Sequence, residues 1–266
     1  MRAHRGNPHS SRESGQVAVE SAIVLPLFVF LILGILQLGL MHQARLLTKY
    51  AAYKAVRAGS LHSANMEKME RAAVAVLLPL ISQDVGGGEY IKTINSPSDF
   101  AAKWNWAGVK GNKMPDANLK FAKVTICGPT KDEVGGGGNK EMDFDDPANS
   151  TGGYDEWERG QRTKLRIQVT FNYRMPIPFA NWVIHAAARN KEVPEVLRLG
   201  KKNTGGLKSL ENGGASGGGA DPYASAASRG LYIFPIRATY TMRMQSNFFL
   251  SRNALPTSNQ CQFAFK

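Results

Sequence analysis

Gly15 stands five residues ahead of Glu20, and Glu20 sits at the mouth of an apolar run that reaches Met41. An acid at the centre of a bilayer costs about 2.5–3.5 kcal/mol on insertion scales, and less near the end of a span where it can reach the interface. A Glu that snorkels is the plain account of this residue. A chemical account needs a partner. A cut after Gly15 would turn Gln16 into a new N-terminus carrying a charged amine, one helical turn from Glu20. Two buried charges compensate each other only when paired. A Glu20 carboxylate on one subunit and a Gln16 amine on its neighbour would therefore set an axial register. The residues before Gly15 are short, polar and basic, with Arg2, Arg5 and Arg12 against Glu13.

Other reactive side chains are sparse. Cys127 and Cys261 could form one disulfide if the domain is exported, but they cannot build a zinc site alone. Of the five histidines, His4 and His9 precede Gly15 and His42 and His62 flank the membrane helix, which leaves His185, and no nucleophile motif accompanies it. Asp143, Asp145, Asp146 and Asn149 lie between glycines, yet their spacing is not that of an EF-hand and Pro147 cuts across them. The plain expectation there is a solvated loop. Trp104 and Trp106 are expected to be partial core with a polar edge. No phosphate loop is present in Gly86–Gly88, Gly135–Gly138 or Gly213–Gly219, which read as flexible loops. The expectation is no enzyme, no metal and no cofactor.

Positioning falls to a long helix. Val17–Met41 is long enough to span a bilayer, and it exceeds the apolar core of a cleaved secretory signal. Pro26 should kink it. Basic residues flank it on both sides, so charge counting gives no firm orientation. The large following domain, with its two cysteines, favours the N-terminus inside. Beyond Met41, Ala44, Leu47, Ala51, Ala55 and Ala58 recur at helical spacing and leave Arg45, Lys49, Lys54 and Arg57 largely off the stripe. Gly59-Ser60 should end the helix. A second helix is expected over 66–81.

Three strands follow. Lys164–Arg174 and Ile236–Gln245 alternate apolar and polar residues, and the second should turn Ile236, Ala238, Tyr240, Met242 and Met244 inward. Leu119–Cys127 slips phase, which predicts a bulge near Ala122-Lys123. One wet face implies an antiparallel sheet. The fold class is α+β: a long N-terminal membrane-spanning helix, then a pilin-like exported domain with an antiparallel sheet and long Gly-rich loops. With 266 residues the chain has room for one such domain and an anchor, or for two small domains. Its net charge of +12 comes from scattered Lys and Arg, so solubility is the expected role and nucleic acid is not an expected partner.

The stretch Gly-Gln-Val-Ala-Val-Glu-Ser-Ala-Ile-Val-Leu-Pro from Gly15, together with Ala51-Ala52-Tyr53-Lys54-Ala55-Val56-Arg57-Ala58-Gly59, resembles the TadE-like family. These are pseudopilins of the tight-adherence (Flp-type) pilus system, a branch of the type IV pilus machinery. Ser21 stands where an aromatic often follows the Glu in that family, and Gln37 where a second acid is often found. The resemblance implies a leader over 1–15 cut after Gly15 by a prepilin peptidase, a transmembrane and continuing helix over 16–60, and an exported α+β domain over 61–266. It further implies a single pass through the bacterial inner membrane with the C-terminal domain periplasmic. The partners implied are membrane lipid, the peptidase, other pilin or pseudopilin subunits and the pilus assembly machinery. The expected function is that of a minor pseudopilin in filament assembly. The alternative is a singly anchored envelope binding protein, neither processed nor incorporated.

Overall fold

The computed structural model describes residues 10–84, 89–131, 133, 141–145, 160, 162–189, 221–249 and 255–261, with side chains from Val17 onward. Helix α1 runs unbroken over Ser10–Leu61. It passes through Pro26, Gly34 and Gly39, residues that would weaken a helix in water. A chain segment in hydrocarbon has no other way to satisfy its backbone, so it stays helical there. The helix starts six residues ahead of Gln16 and ends two residues after Gly59. It closes instead at Ser63 and Ala64, both at positive φ, with the Ala64 amide donating to the Gly59 carbonyl at 2.9 Å.

Asn65 then caps α2, Met66–Leu77, its side chain accepting from the Lys68 amide. The expected helix over 66–81 finishes as a 3₁₀ turn, Leu78–Leu80, because Pro79 has no amide hydrogen to continue the α pattern. A two-residue pair, β1 (Gln83–Asp84) and β2 (Glu89–Tyr90), follows. Helices α3 (Pro97–Trp104) and α4 (Ala107–Lys110) lead to the main sheet.

That sheet is antiparallel with the order β3-β5-β6, where β3 is Ala122–Gly128, β5 is Lys164–Arg174 and β6 is Ile233–Arg243. Between these strands lie α5 (Ala180–Arg189) and α6 (Pro222–Ala227). A separate pair joins β4 (Glu141–Met142) to β7 (Phe248–Phe249). The fold is α+β, as its alternation and its apolar helix suggest. The three Gly-rich stretches lie outside the described residues.

Helices α1 and α2 cover one face of the sheet. On that face Leu165, Ile167, Val169, Phe171 and Tyr173 are all buried. The other face is drier than its polar alternation predicts, since Gln168, Asn172 and Arg174 are buried too. Loops satisfy them. The Asn172 amide donates to the Lys120 carbonyl while its oxygen accepts from the Tyr223 hydroxyl. Arg174 is clasped by Glu89 and, at 3.0 Å, by Asp116. Strand β5 is thus central and covered on both sides.

Two strand details differ from expectation. The irregularity in β3 falls between Ile126 and Gly128, not at Ala122-Lys123. At Ala122 the regular register with Phe171 is already in place, and the Asn112 side-chain amide bonds the Ala122 nitrogen and carbonyl at 3.0 and 2.6 Å. On β6, Tyr240 lies opposite Ile167 on the inner face but stays 42% exposed, because this edge strand is covered only in part. Its ring packs edge-on against Tyr53 of α1.

Candidate membrane and assembly helix

Helix α1 is two surfaces in series. From Gln37 to Ser60 one side is held by the protein's own domain. Gln37, Ala44, Thr48, Ala51, Ala52, Ala55, Val56, Gly59 and Ser60 are buried. Their spacings of three, four and seven lay them along one side of the helix. The face is wider than the Ala44–Ala58 stripe alone, because Ala52 and Val56 join it. Arg45, Lys49 and Arg57 point away into solvent and Lys54 is half-buried. Small residues dominate the face and let backbones approach closely. At Gly59 the approach is closest, for a Cβ there would lie 2.5 Å from Met69 Sδ and 2.6 Å from Leu165 Cδ2. The helix end is tied down as well. The Ser60 carbonyl accepts from the Gln245 amide at 3.0 Å and the Ser246 hydroxyl at 2.8 Å.

Gln37 is the first residue of this held surface. Its Oε1 accepts the Ile177 amide at 3.1 Å, while its Nε2 is buried without a hydrogen bond. Tyr173 lies nearby, and burial pushes its phenol up to about 12, with Gln37 acting against the shift. In the sequence Gln37 reads as a mere interruption of the apolar run. Its position as the boundary depends on the chain around Ile177, which only the fold brings there.

Below Gln37 the surface inverts. Val17, Val19, Ile23, Val24, Leu25, Leu27, Phe28 and Leu36 are all more than half exposed. Nineteen residue steps from Val17 to Leu36 rise about 28 Å, close to the roughly 30 Å of a bilayer's hydrocarbon. This segment fits a single-pass membrane protein. Glu20 is exposed on it, one turn beyond Gln16. The Gly15–Gln16 peptide lies inside the helical backbone of α1, in its second turn. A glycine in a helix costs about 1 kcal/mol against alanine, so this turn is a weak one.

The remaining candidates are placed elsewhere. Cys127, at the irregular end of β3, is bonded to Cys261, with Cα atoms 5.2 Å apart. His185 is buried in α5, edge-on to Tyr232 at 5.4 Å. Asp143 and Asp145 are described but Asp146 and Asn149 are not. Among the described residues no group of three His, Cys, Asp or Glu could hold a metal. Trp104 stacks on Phe100 and Trp106 tilts against Phe121, each half-buried. Lys103 is a buried cation that no sequence signal marks. Its ammonium donates to the Lys92 carbonyl at 3.0 Å, and burial lowers its pKa to about 8.

Comparison with curated proteins and with solved structures returns no match. Among protein families, TadE-like protein matches over residues 15–57. That interval begins at the glycine before the span and ends within the domain-held half of the helix, two residues short of Gly59. The exposed apolar and domain-held surfaces of α1 together carry that match, so this helix is similar to the TadE-like family over residues 15–57 of the 266.

Proposed function

We propose that this chain is a minor pseudopilin that takes part in assembling a tight-adherence pilus or a related secretion filament. One observation carries the proposal. A single helix joins a firmly held domain to a bare apolar half that bears Glu20 one turn from Gln16. Such a half needs either lipid or other helices around it, and a subunit that moves from membrane to filament uses both.

The steps follow from the residues. A prepilin peptidase cuts after Gly15 and leaves Gln16 as the amine terminus. The chain sits in the inner membrane with its N-terminus cytoplasmic and its α+β domain periplasmic, the side where the Cys127–Cys261 bridge is chemically stable. In the assembly, the Glu20 carboxylate pairs with a neighbour's Gln16 amine and sets its register. The role is structural, with no catalysis and no cofactor.

The mature N-terminal residue, read from membrane-extracted protein, tests the first step. Gln16 is expected, and an intact Met1 would refute processing. Glu20→Ala should insert normally yet enter filaments at least about tenfold less, the equivalent of about 1.4 kcal/mol for a lost charge pair. Wild-type incorporation by Glu20→Ala would refute the pairing role.

A further inference from the structure

The face of α5 is built the wrong way round for a soluble domain. Its inner side carries Ala180, His185 and Ala186, all buried. Ile184 packs against the core, but the helix's other large apolar side chains point out, with Trp182 45% and Val183 44% exposed, and Phe179 just ahead of the helix 61% exposed. Residues 179, 182 and 183 follow the i, i+3, i+4 pattern, so they form one continuous stripe. Phe179 also has φ +64°, a backbone conformation a bulky residue rarely adopts, and here it carries the ring outward.

The stripe is not isolated. The Phe179 ring meets the Phe30 ring edge-on at 5.7 Å. Phe30 belongs to the exposed apolar half of α1, itself 52% exposed. The chain reaches it by descending alongside α1, from Ile177 bonded to Gln37 down to Phe179 at Phe30. Seven residues separate Phe30 from Gln37, a descent of about 10 Å. Amphipathic helices that lie in a membrane interface sink their apolar face about 5–10 Å into the headgroup and acyl boundary, and Trp and Phe are favoured there.

We infer that the Phe179–Val183 stripe of α5 is a second membrane-contact element, seated in the leaflet on the domain's side of the bilayer beside the transmembrane helix. Its occupant is phospholipid, because the stripe is continuous through Phe30 with the surface that spans the bilayer. It fixes how far the domain stands from the membrane and how it is rotated about α1. Gln37 then lies at the upper edge of the hydrocarbon, sheltered from it by the Ile177 backbone. The inference needs α1 to cross a bilayer but does not depend on processing or filament entry.

The test uses the full chain in phosphatidylcholine vesicles whose acyl chains carry bromine either near the headgroup or near the bilayer centre. Tryptophan emission is read for the wild type and for Trp182→Phe, a conservative change at an exposed site. Trp182 is one of four tryptophans, so the comparison isolates its share. Shallow bromine should quench the wild type more than deep bromine does, and Trp182→Phe should lose most of that difference. Equal quenching in wild type and variant would overturn the inference. So would protection of Trp182 that appears only at high protein density together with cross-linked dimers, which would make a second copy the occupant. Phe179→Ser with Val183→Ser supplies the complementary reading: Trp182 should become more accessible to aqueous acrylamide, and unchanged accessibility counts against seating in lipid.

Discussion

Gly59→Ala tests whether the small-residue face of α1 exists for close approach. The added methyl would meet Met69 Sδ at 2.5 Å and Leu165 Cδ2 at 2.6 Å. Each must retreat nearly 1 Å to reach ordinary contact. Both side chains are fully buried, one on α2 and one on the central strand, so neither has open space to enter. Overpacking of this kind costs about 1–3 kcal/mol. Against it stands the better helix propensity of alanine, up to about 1 kcal/mol and less in a last turn. The balance is a net loss of about 1–2 kcal/mol. Gly59→Val should lose more, because it adds two further methyl groups and a β-branch. Denaturant unfolding of the full chain in detergent, followed by tryptophan emission, gives the numbers. Met69→Ala opens space on one side of the clash, so the double variant should show favourable coupling of at least about 1 kcal/mol in a double-mutant cycle. A Gly59→Ala protein more stable than wild type by about 1 kcal/mol would refute the reasoning. The glycine would then be only a poor helix former, with no role in packing.

Removing the Cys127–Cys261 bridge, whose residues are 134 apart in sequence, should cost about 5 kcal/mol on the loop-closure estimate; the denaturation midpoint of Cys127→Ala with Cys261→Ala measures it, and an unchanged midpoint denies the bridge any stabilising part. Lys103 is held at about 8 against 10.5 unfolded, so the penalty for burying its charge is in full force below pH 8. That penalty is relieved as the pH climbs toward 10.5, raising stability by up to about 3 kcal/mol. Lys103→Met should remove this rise from the pH dependence of thermal unfolding. Gln37→Leu should cost about 1 kcal/mol by leaving the Ile177 amide without its acceptor, and hydrogen exchange at Ile177 should quicken while exchange within β5 does not.

Periodicity carried much of the fold. Strand β5 has the bounds its alternation predicts, Lys164–Arg174, because every second residue is large and apolar. The bare half of α1 was equally plain, since an uninterrupted apolar run has few other uses. The held half was only partly legible. Alanine is compatible with any face, so Ala52 carries no mark that separates it from Ala58. Nor does a strand announce what covers its polar side. Arg174 reads as an outward residue until Glu89 and Asp116, brought from 85 and 58 positions away, close over it. Stripe inversion on α5 was hidden for a related reason. Trp182-Val183-Ile184-His185 reads as a short helix from its residues, but which side faces out depends on where Gln37 holds Ile177.

On the proposed function, the two halves of α1 bear differently on assembly. Burying apolar surface supplies the drive that holds Ala44 through Gly59 to the sheet, since those residues leave water. No such drive acts on the residues from Val17 to Leu36, for lipid is as apolar as the interior of a filament. Passage from bilayer to helix bundle is therefore nearly neutral in hydrophobic terms, and something else must favour the bundle. Close packing can do so only where small residues allow it, and this stretch is rich in Leu, Ile, Val and Phe, with Ala18, Ser21, Ala22 and Gly34 its small residues. That leaves the polar term. A Glu20 that is tolerable at a membrane edge becomes costly inside a bundle unless a cation meets it. A freshly cut Gln16 amine is a cation formed at the right level of the helix. Cleavage after Gly15 would then do more than shorten the chain: it would supply the charge that makes the filament interior acceptable to Glu20, and an uncleaved subunit would stay in the lipid.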